Sequence, residues 1–233
     1  MNTILEVDDL AVRYGGVRAL DGVSVRLSDG EIRGLIGPNG SGKSTFIDAI
    51  SGRKLPASGR IRLFGQEVTR LSAVDRRLRG LSRSFQRTSI FPELTVREQM
   101  SLAARRFGSD PGEILEALGL AAHLESLANQ LGYGEQRRLD LALALVGSPK
   151  LLLLDEPAAG LSRAESLALA DMLRALVRDA GTTVCLVEHD MDVIFGISDS
   201  VTVFDTGRVI AEGEPKAVRS DPAVRRAYLG SEG

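Results

Sequence analysis

A glycine-rich segment between a predicted strand and a predicted helix constrains this chain more than any other feature. The segment, Gly37-Pro38-Asn39-Gly40-Ser41-Gly42-Lys43-Ser44, fits the pattern G-x-x-x-x-G-K-[ST]. It follows the apolar run Ile32–Ile36 and precedes a helix predicted over about 44–51. Glycines let the backbone curl so that its N–H groups point inward, and the helix adds positive partial charge. The segment is predicted to bind the phosphates of a nucleoside triphosphate; the alternative is a glycine-rich turn that carries Lys and Ser by coincidence.

The side chains of this segment give the prediction its chemistry. Lys43 places an ammonium against the β- and γ-phosphates, and the Ser44 hydroxyl can hold Mg²⁺. Lys43 is therefore expected to take part in catalysis as well as in binding. The predicted contacts to the nucleotide in this part of the chain are Gly37, Pro38, Asn39, Gly40, Ser41, Gly42, Lys43, Ser44 and Thr45.

A second acidic site follows the apolar run Leu151–Leu154. Such a run is typical of a parallel strand covered on both faces, and ligands bind beyond the carboxyl ends of such strands. Asp155 and Glu156 are therefore expected to face the crevice that holds the phosphates. Neighbouring strand residues point to opposite faces, which favours two roles: Asp155 reaching the hydrated Mg²⁺, and Glu156 orienting and deprotonating the attacking water. The alternative is an acidic turn at the end of a strand.

Composition excludes several classes of protein. The formal net charge is -2, whereas a chain that neutralises a nucleic acid backbone is normally basic, so no nucleic acid partner is expected. The single cysteine, Cys185, cannot form an intramolecular disulfide, and two histidines are too few for a Cys/His metal cage. The first residues lack the basic and apolar regions of a signal peptide, and the apolar runs are too short to span a bilayer. We therefore expect a cytoplasmic protein.

The order of strand and helix signals predicts an α/β fold. Alternating strands fill residues 3–36, helical patterns rich in Ala, Leu and Arg replace them from about residue 87 to 145, and strand-helix alternation then resumes. A capping box at Ser162–Glu165 opens one helix that Gly181 ends. The chain is predicted to be a single domain, 1–233, with a nucleotide-binding core (1–86 and 147–233) and an inserted helical subdomain (87–146).

One further segment identifies a family. Leu131-Gly132-Tyr133-Gly134-Glu135-Gln136-Arg137-Arg138, ahead of the apolar run Leu139–Val146, resembles the signature sequence of ATP-binding cassette (ABC) ATPases. The resemblance covers essentially the whole chain. It implies ATP as the nucleotide, and a P-loop NTPase core with a mostly parallel sheet, an N-terminal antiparallel β subdomain and an inserted α-helical subdomain.

The same resemblance implies roles for residues outside the two motifs. Tyr14 is similar to the aromatic residue that stacks on adenine, although an edge-strand aromatic is the alternative. Gln86 resembles the glutamine that senses Mg²⁺ and the membrane partner, which makes it a predicted metal and nucleotide contact. His189, after the apolar strand Val184–Val187, resembles the switch histidine that contacts the γ-phosphate, although a lone histidine is more often structural. Ala159–Ser162 matches the loop that crosses the dimer interface.

The signature implies a dimer that holds two ATP molecules between two cassettes. Its glycines are expected to precede a helix, so that Gly132, Gly134 and Glu135 contact the nucleotide of the opposite subunit at a helix N-terminus. The family usually has Ser where this chain has Gly132. The hydroxyl toward the γ-phosphate is then missing while the backbone N–H groups remain, so we expect a weakened contact rather than an inactive protein.

The sequences of four segments narrow the resemblance to one branch of the family. Segments 131–139, 155–162, 187–191 and 225–230 resemble the ATPases of branched-chain amino-acid or urea/amide importers. Lipopolysaccharide-export ATPases share parts of the tail, and the segment 86–131 is short for the importer branch. The implied partners are a second ABC ATPase subunit, transmembrane permease subunits and, indirectly, a periplasmic or extracellular substrate-binding protein. The chain would then lie on the inner face of the cell membrane.

Two other functions stay open at this point. A non-transport ABC ATPase acting on DNA would need long coiled coils between the nucleotide motifs, and one acting on ribosomes would need two cassettes in one chain. A non-hydrolysing, nucleotide-gated interaction module is the third hypothesis, and Gly132 is the residue that motivates it.

Overall fold

The structure, a computed structural model, describes residues 2–84 and 89–229. Its strands are β1 (Thr3–Tyr14), β2 (Val17–Ser28), β3 (Ile32–Ile36), β4 (Ser58–Leu63), β5 (Gln66–Glu67), β6 (Leu81–Arg83), β7 (Leu151–Asp155), β8 (Thr183–Val187), β9 (Ser200–Asp205) and β10 (Arg208–Gly213). Its α-helices are α1 (Lys43–Ile50), α2 (Ala73–Leu78), α3 (Val96–Arg105), α4 (Gly112–Ala117), α5 (Tyr133–Leu145), α6 (Arg163–Ala180), α7 (Met191–Ile197), α8 (Pro215–Ser220) and α9 (Pro222–Leu229). Short 3₁₀ helices cover Ala121–His123 and Ala128–Gln130.

The strands form two sheets. A four-stranded antiparallel sheet has the order β2-β1-β4-β5, and a six-stranded sheet has the order β10-β9-β3-β8-β7-β6. In the larger sheet every neighbouring pair is parallel except β9 and β10. The predicted fold class is therefore confirmed. Because β3, β8 and β7 are neighbours and parallel, the residues that follow their carboxyl ends meet at one edge of the sheet.

Both faces of the parallel sheet are buried, as the apolar run of β7 predicts. Leu151 and Leu153 belong to a core shared with the antiparallel sheet and α1, whereas Leu152 and Leu154 belong to a core shared with α3, α5 and α6. Cys185 on β8 is fully buried in the first core, and burial raises the pKa of its thiol to about 12. It is a packing residue, as expected.

Local sequence signals fix several element ends. Ser162 caps α6 in a capping box with Glu165, and Gly181 ends that helix in the left-handed conformation. Gly132 is the N-cap of α5, but Gly134 lies inside its first turn, so the expectation that both glycines precede the helix is only half correct. Within the described part of 89–146 the regular elements are all helices.

Among the described helices, none combines the length and the apolar character that crossing a membrane requires.

Candidate active site

The phosphate loop, residues 37–44, joins β3 to α1 and has room only for glycine at its two ends. Gly37 has φ 151°, and a Cβ there would lie 2.1 Å from the carbonyl oxygen of Phe204. Gly42 has φ 109°, and a Cβ there would lie 2.8 Å from the Ala19 carbonyl oxygen. A side chain at either position would be strained and would overlap backbone that is held in neighbouring strands. The loop is thus packed tightly between β2 and the β9–β10 hairpin.

Helix α1 opens without a side-chain cap. Its N-cap is Gly42, and no side chain in the described part of the protein caps the helix. Instead Lys43 folds over the loop, and its ammonium donates to the carbonyl oxygens of Gly37 at 2.7 Å and Pro38 at 3.0 Å. Burial lowers the pKa of Lys43, while the carboxylates of Glu156 and Asp155 oppose that shift. A cation and uncapped amides thus converge in the loop, which is the arrangement that an anion requires.

The loop opens onto a cavity of about 160 Å³. Residues from four separate parts of the chain line it: Ala19; Asn39, Gly40, Ser41, Gly42, Lys43, Ser44 and Thr45; Glu156; and His189. The parallel neighbours β3, β8 and β7 bring the last three parts together, and Ala19 comes from β2. Most of the predicted phosphate contacts and all three predicted catalytic residues, Lys43, Glu156 and His189, therefore line one small polar cavity.

Glu156 and His189 are in direct contact at the edge of this cavity. His189 Nε2 lies 2.8 Å from Glu156 Oε1. Glu156 has φ 52°, a left-handed conformation that is uncommon for a residue with a side chain and costs about 1–2 kcal/mol. Such strain persists only where the surrounding structure enforces it.

Asp155 makes an ion pair that the sequence did not predict. Its buried carboxylate is not among the described lining residues of the cavity, and its Oδ2 instead accepts from Arg83 Nη2 at 3.1 Å. Arg83 also contacts Asp48 of α1 at 2.5 Å and so links β6, β7 and α1. Burial raises the pKa of Asp155, and the Arg83 guanidinium opposes that rise. Sequence reasoning missed Arg83 because nothing local marks it.

Tyr14, a predicted nucleotide contact, is not among the described residues that line the cavity. Tyr14, at the end of β1, has 46% of its surface exposed, and Lys54 Nζ lies 4.2 Å from the centre of its ring. The ring belongs to the same β1–β2 hairpin as Ala19, which lines the cavity. Gln86, the predicted metal and nucleotide contact, lies outside the described residues.

The signature residues lie at the N-terminus of α5, away from the phosphate-loop cavity of the same chain. The Gly132 amide donates to Glu135 Oε2 at 2.8 Å, and His123 Nε2 lies 3.1 Å from Glu135 Oε1. The Tyr133 hydroxyl donates to the Ala159 carbonyl oxygen at 2.9 Å. None of Gly132, Gly134 and Glu135 is among the described residues that line the phosphate-loop cavity. The N-terminus of α5 is instead joined to the loop that follows Glu156.

One functional candidate was missed although a sequence rule could have found it. Glu188 follows the apolar strand β8 just as Glu156 follows β7, and its side chain is only 5% exposed. Its carboxylate accepts from the backbone N–H of Ala158 at 2.7 Å and of His189 at 3.1 Å. The rule that selected His189 at a strand end applies equally to its neighbour.

Two features together define an ATP-binding cassette ATPase. One is a glycine loop between a strand and a helix at the carboxyl edge of a mostly parallel sheet, and the other is a separate glycine-capped helix in a helical insertion. Comparison with known proteins gives the same class. The profile of the family described as ABC transporter matches residues 20–159, and that of a branched-chain amino acid ATP-binding cassette transporter matches residues 208–233. The chain belongs to the ABC transporter family, as the signature predicted, and is an ATP-binding, ATP-hydrolysing subunit of that family.

Individual relatives cover nearly the whole chain. It is 37% identical to the high-affinity branched-chain amino acid transport ATP-binding protein LivG of Salmonella typhimurium, over 97% of this chain and 98% of LivG. It is 36% identical to the corresponding protein BraF of Pseudomonas aeruginosa, with the same coverage. The crystal structure of an ATP-binding cassette of an ABC transporter in its ADP conformation matches with a TM-score of 0.90 at 30% identity, over 99% of this chain and 100% of that one.

Proposed function

We propose that this chain hydrolyses ATP to drive the import of branched-chain amino acids through membrane permease subunits. Transport driven by ATP follows from the family; the cargo is the part that is proposed. It is supported by the names of LivG and BraF and by the tail profile over 208–233. Urea, amides and lipopolysaccharide, the other cargoes that the sequence motifs leave open, have no such support among these relatives.

The cavity between the phosphate loop, Glu156 and His189 is the observation that carries the proposed chemistry. In this proposal the loop amides and Lys43 hold the β- and γ-phosphates, and the ammonium leaves the carbonyls of Gly37 and Pro38 for phosphate oxygens. Tyr14, exposed at the end of its hairpin, offers a face on which adenine stacks. The polar lining suits phosphates rather than an apolar ligand.

The residues present also fit a magnesium ion. Mg²⁺ prefers hard oxygen ligands and is usually bound by one or two carboxylates together with substrate phosphates. The Ser44 hydroxyl at the start of α1 and the Asp155 carboxylate at the end of β7 are such ligands, and Gln86 is a third by resemblance. Within the described residues there is no cluster of three carboxylate, His or Cys side chains that could hold the ion alone. When bound, Mg²⁺ would neutralise charge on the phosphates.

Glu156 is the proposed general base. Its carboxylate faces the phosphate loop across the cavity and can accept a proton from a water aligned with the γ-phosphate. His189, at 2.8 Å, fixes the orientation of that carboxylate and can itself reach the γ-phosphate. Lys43 stabilises the negative charge of the transferred phosphoryl group.

A second ABC ATPase subunit is proposed to complete the site. Among the described residues, Gly132, Gly134 and Glu135 at the α5 N-terminus do not line the phosphate-loop cavity of their own chain. The Gly132 amide donates to Glu135, and the amides that follow it in the first turn are proposed to contact the nucleotide of a facing cassette. The hydrogen bond from Tyr133 to Ala159 joins α5 to the loop after Glu156. The α5 N-terminus and the loop at Ala159–Ser162, which are both expected at the dimer interface, would therefore move together. Permease subunits would hold the pair at the inner face of the membrane, with a substrate-binding protein outside.

Replacement of the general base tests the proposed chemistry. Glu156→Gln should lower the rate of ATP hydrolysis roughly 10²–10⁴-fold, because it removes a positioned base, while MgATP binding by calorimetry is retained. Glu67→Gln, an exposed carboxylate on β5, is the matched control and should hydrolyse ATP at the wild-type rate. Wild-type turnover in Glu156→Gln would contradict the assigned role.

The cargo needs its own experiment. The experiment uses membrane vesicles that contain the cognate permeases, with the cassettes on the inner face and the binding protein outside. Such vesicles should accumulate labelled leucine only when ATP is enclosed inside them. Unlabelled isoleucine and valine should compete, and urea should not. Uptake that urea abolishes and isoleucine leaves unchanged would replace the proposed cargo.

A further inference from the structure

The backbone hydrogen bonds between β7 and β8 end where the chain carries Glu156 and His189 into the cavity. Strands β7 and β8 are paired up to Asp155 and Val187, and the Glu156 amide donates to the Val187 carbonyl oxygen at 2.9 Å. Beyond that bond the two chains leave the sheet, one toward Ala158 and the other toward His189. These diverging segments nevertheless have to hold Glu156 and His189 at hydrogen-bonding distance.

The Glu188 side chain joins the two segments at this point. One carboxylate oxygen accepts from the amide of Ala158, which follows β7, and the other accepts from the amide of His189, which follows β8. The carboxylate therefore continues the ladder by one step with side-chain atoms. It is buried, so these bonds are shielded from competition with water.

Glu156 is the residue that gains most from this link. Its left-handed φ of 52° is unfavourable on its own, and the peptides on either side have to be fixed for it to persist. The Val187 carbonyl holds the amide of Glu156 itself, and the Ala159 amide donates to its carbonyl oxygen at 3.1 Å. The bond from Ala158 to Glu188 fixes the peptide between those two points.

We propose that Glu188 is a positioning residue: it holds Glu156 in its strained conformation and fixes the distance between Glu156 and His189. This inference rests on the hydrolytic roles proposed for Glu156 and His189. Glu188 itself contacts only backbone N–H groups in the hydrogen bonds described above, so it acts through those two residues. Burial raises the pKa of Glu188, and the amides of Ala158, His189 and Asp190 oppose the rise. The amides that Glu188 organises thus oppose the effect of its desolvation.

Glu188→Gln tests the proposal because it keeps the size of the side chain but turns one acceptor into a donor that faces an N–H group. We expect the kcat for ATP hydrolysis to fall roughly 10–100-fold with KM and MgATP affinity nearly unchanged, since the phosphate loop is untouched. The matched control is Glu31→Gln, a poorly exposed carboxylate near the opposite ends of the strands, which accepts from the Ser28 amide and from Arg33. It should affect stability but leave kcat unchanged.

A double mutant separates positioning from an independent effect. If Glu188 acts through Glu156, Glu188→Gln should have little further effect on kcat in the Glu156→Gln background. Additive losses, a wild-type kcat in Glu188→Gln, or a loss of MgATP affinity that matches the loss of activity would each overturn the inference. If Glu188→Gln does not fold, Glu188→Met removes the buried charge at similar volume and allows the same comparison. Failure of the role proposed for Glu156 is distinguishable, because the Glu156→Gln variant alone would then hydrolyse ATP at the wild-type rate.

Discussion

The N-termini of α1 and α5 can both attract an anion through their backbone N–H groups, but different side chains lie against them. Both helices follow a glycine N-cap, and both expose backbone N–H groups that attract an anion. At α1 no side chain caps the helix, and a cation, Lys43, lies over the loop. At α5 the chain supplies its own anion, because Glu135 accepts from the Gly132 amide and is held by His123.

This difference shows which site one chain can complete. The α1 site has strained glycines, a buried ammonium and facing carboxylate and imidazole groups from neighbouring strands, so it is built to receive a highly charged ligand from solution. The α5 site has relaxed geometry and a carboxylate already in place. It is suited to a lesser contact with a nucleotide that another chain already holds.

Alanine at the first glycine of each site sharpens the comparison and carries the largest expected effect. Gly37→Ala should lower the free energy of unfolding by at least about 3 kcal/mol, because it adds left-handed strain and a clash with the Phe204 carbonyl. Gly132→Ala should change it by less than about 1 kcal/mol, because Gly132 has φ -62° and a Cβ there would lie 3.5 Å from Glu135 Oε2. Urea unfolding curves measure both.

Gly40→Ala is the control for strain without a clash. Gly40 has φ 78° with nothing within 4 Å of an added Cβ, so we expect a loss of only about 1–2 kcal/mol. Equal losses for Gly37→Ala and Gly132→Ala would remove the structural distinction between the two helix ends.

Lys43→Met breaks the α1 site chemically instead. MgATP affinity should fall roughly 10²-fold, because a charged donor to two phosphates is lost while the loop backbone stays. Lys54→Met, which removes a nearby ammonium from the face of the Tyr14 ring, should change affinity less than about fivefold. Calorimetry on the two variants decides the matter, and equal losses would show that the loop cation has no special role.

Sequence reasoning worked where the signal is local. The phosphate loop, the strand β7 and the capping box at Ser162 each depend on residues a few positions apart, and the structure has all three elements. Glu156 and His189 follow neighbouring parallel strands and both line the cavity beside the phosphate loop, because parallel strands bring their carboxyl ends together.

Side chains that join distant parts of the chain could not be predicted in this way. Arg83 sits on the short strand β6, which was not predicted, and its partners Asp48 and Asp155 are far away in sequence. Arg76, fully buried on the unpredicted helix α2, donates to the carbonyls of Ala49 and Ile50 at the end of α1. A charged residue in an alternating or helical pattern looks like a solvated one until the fold supplies its acceptors.

Gly132→Ser carries the smallest expected effect on the folded chain and asks whether the α5 site is limited by its missing hydroxyl. Serine is the better N-cap, so the free energy of unfolding should rise by only a few tenths of a kcal/mol. MgATP affinity of the single chain should stay the same, because Gly132 does not line its own cavity. Hydrolysis by the assembled cassette pair should rise about two- to tenfold, the worth of one added hydrogen bond to phosphate.

Gly196→Ser, a hydroxyl added in open space on α7, is the control. If both variants hydrolyse ATP at the wild-type rate, the backbone amides of α5 suffice, and the unusual glycine does not weaken the contact between subunits.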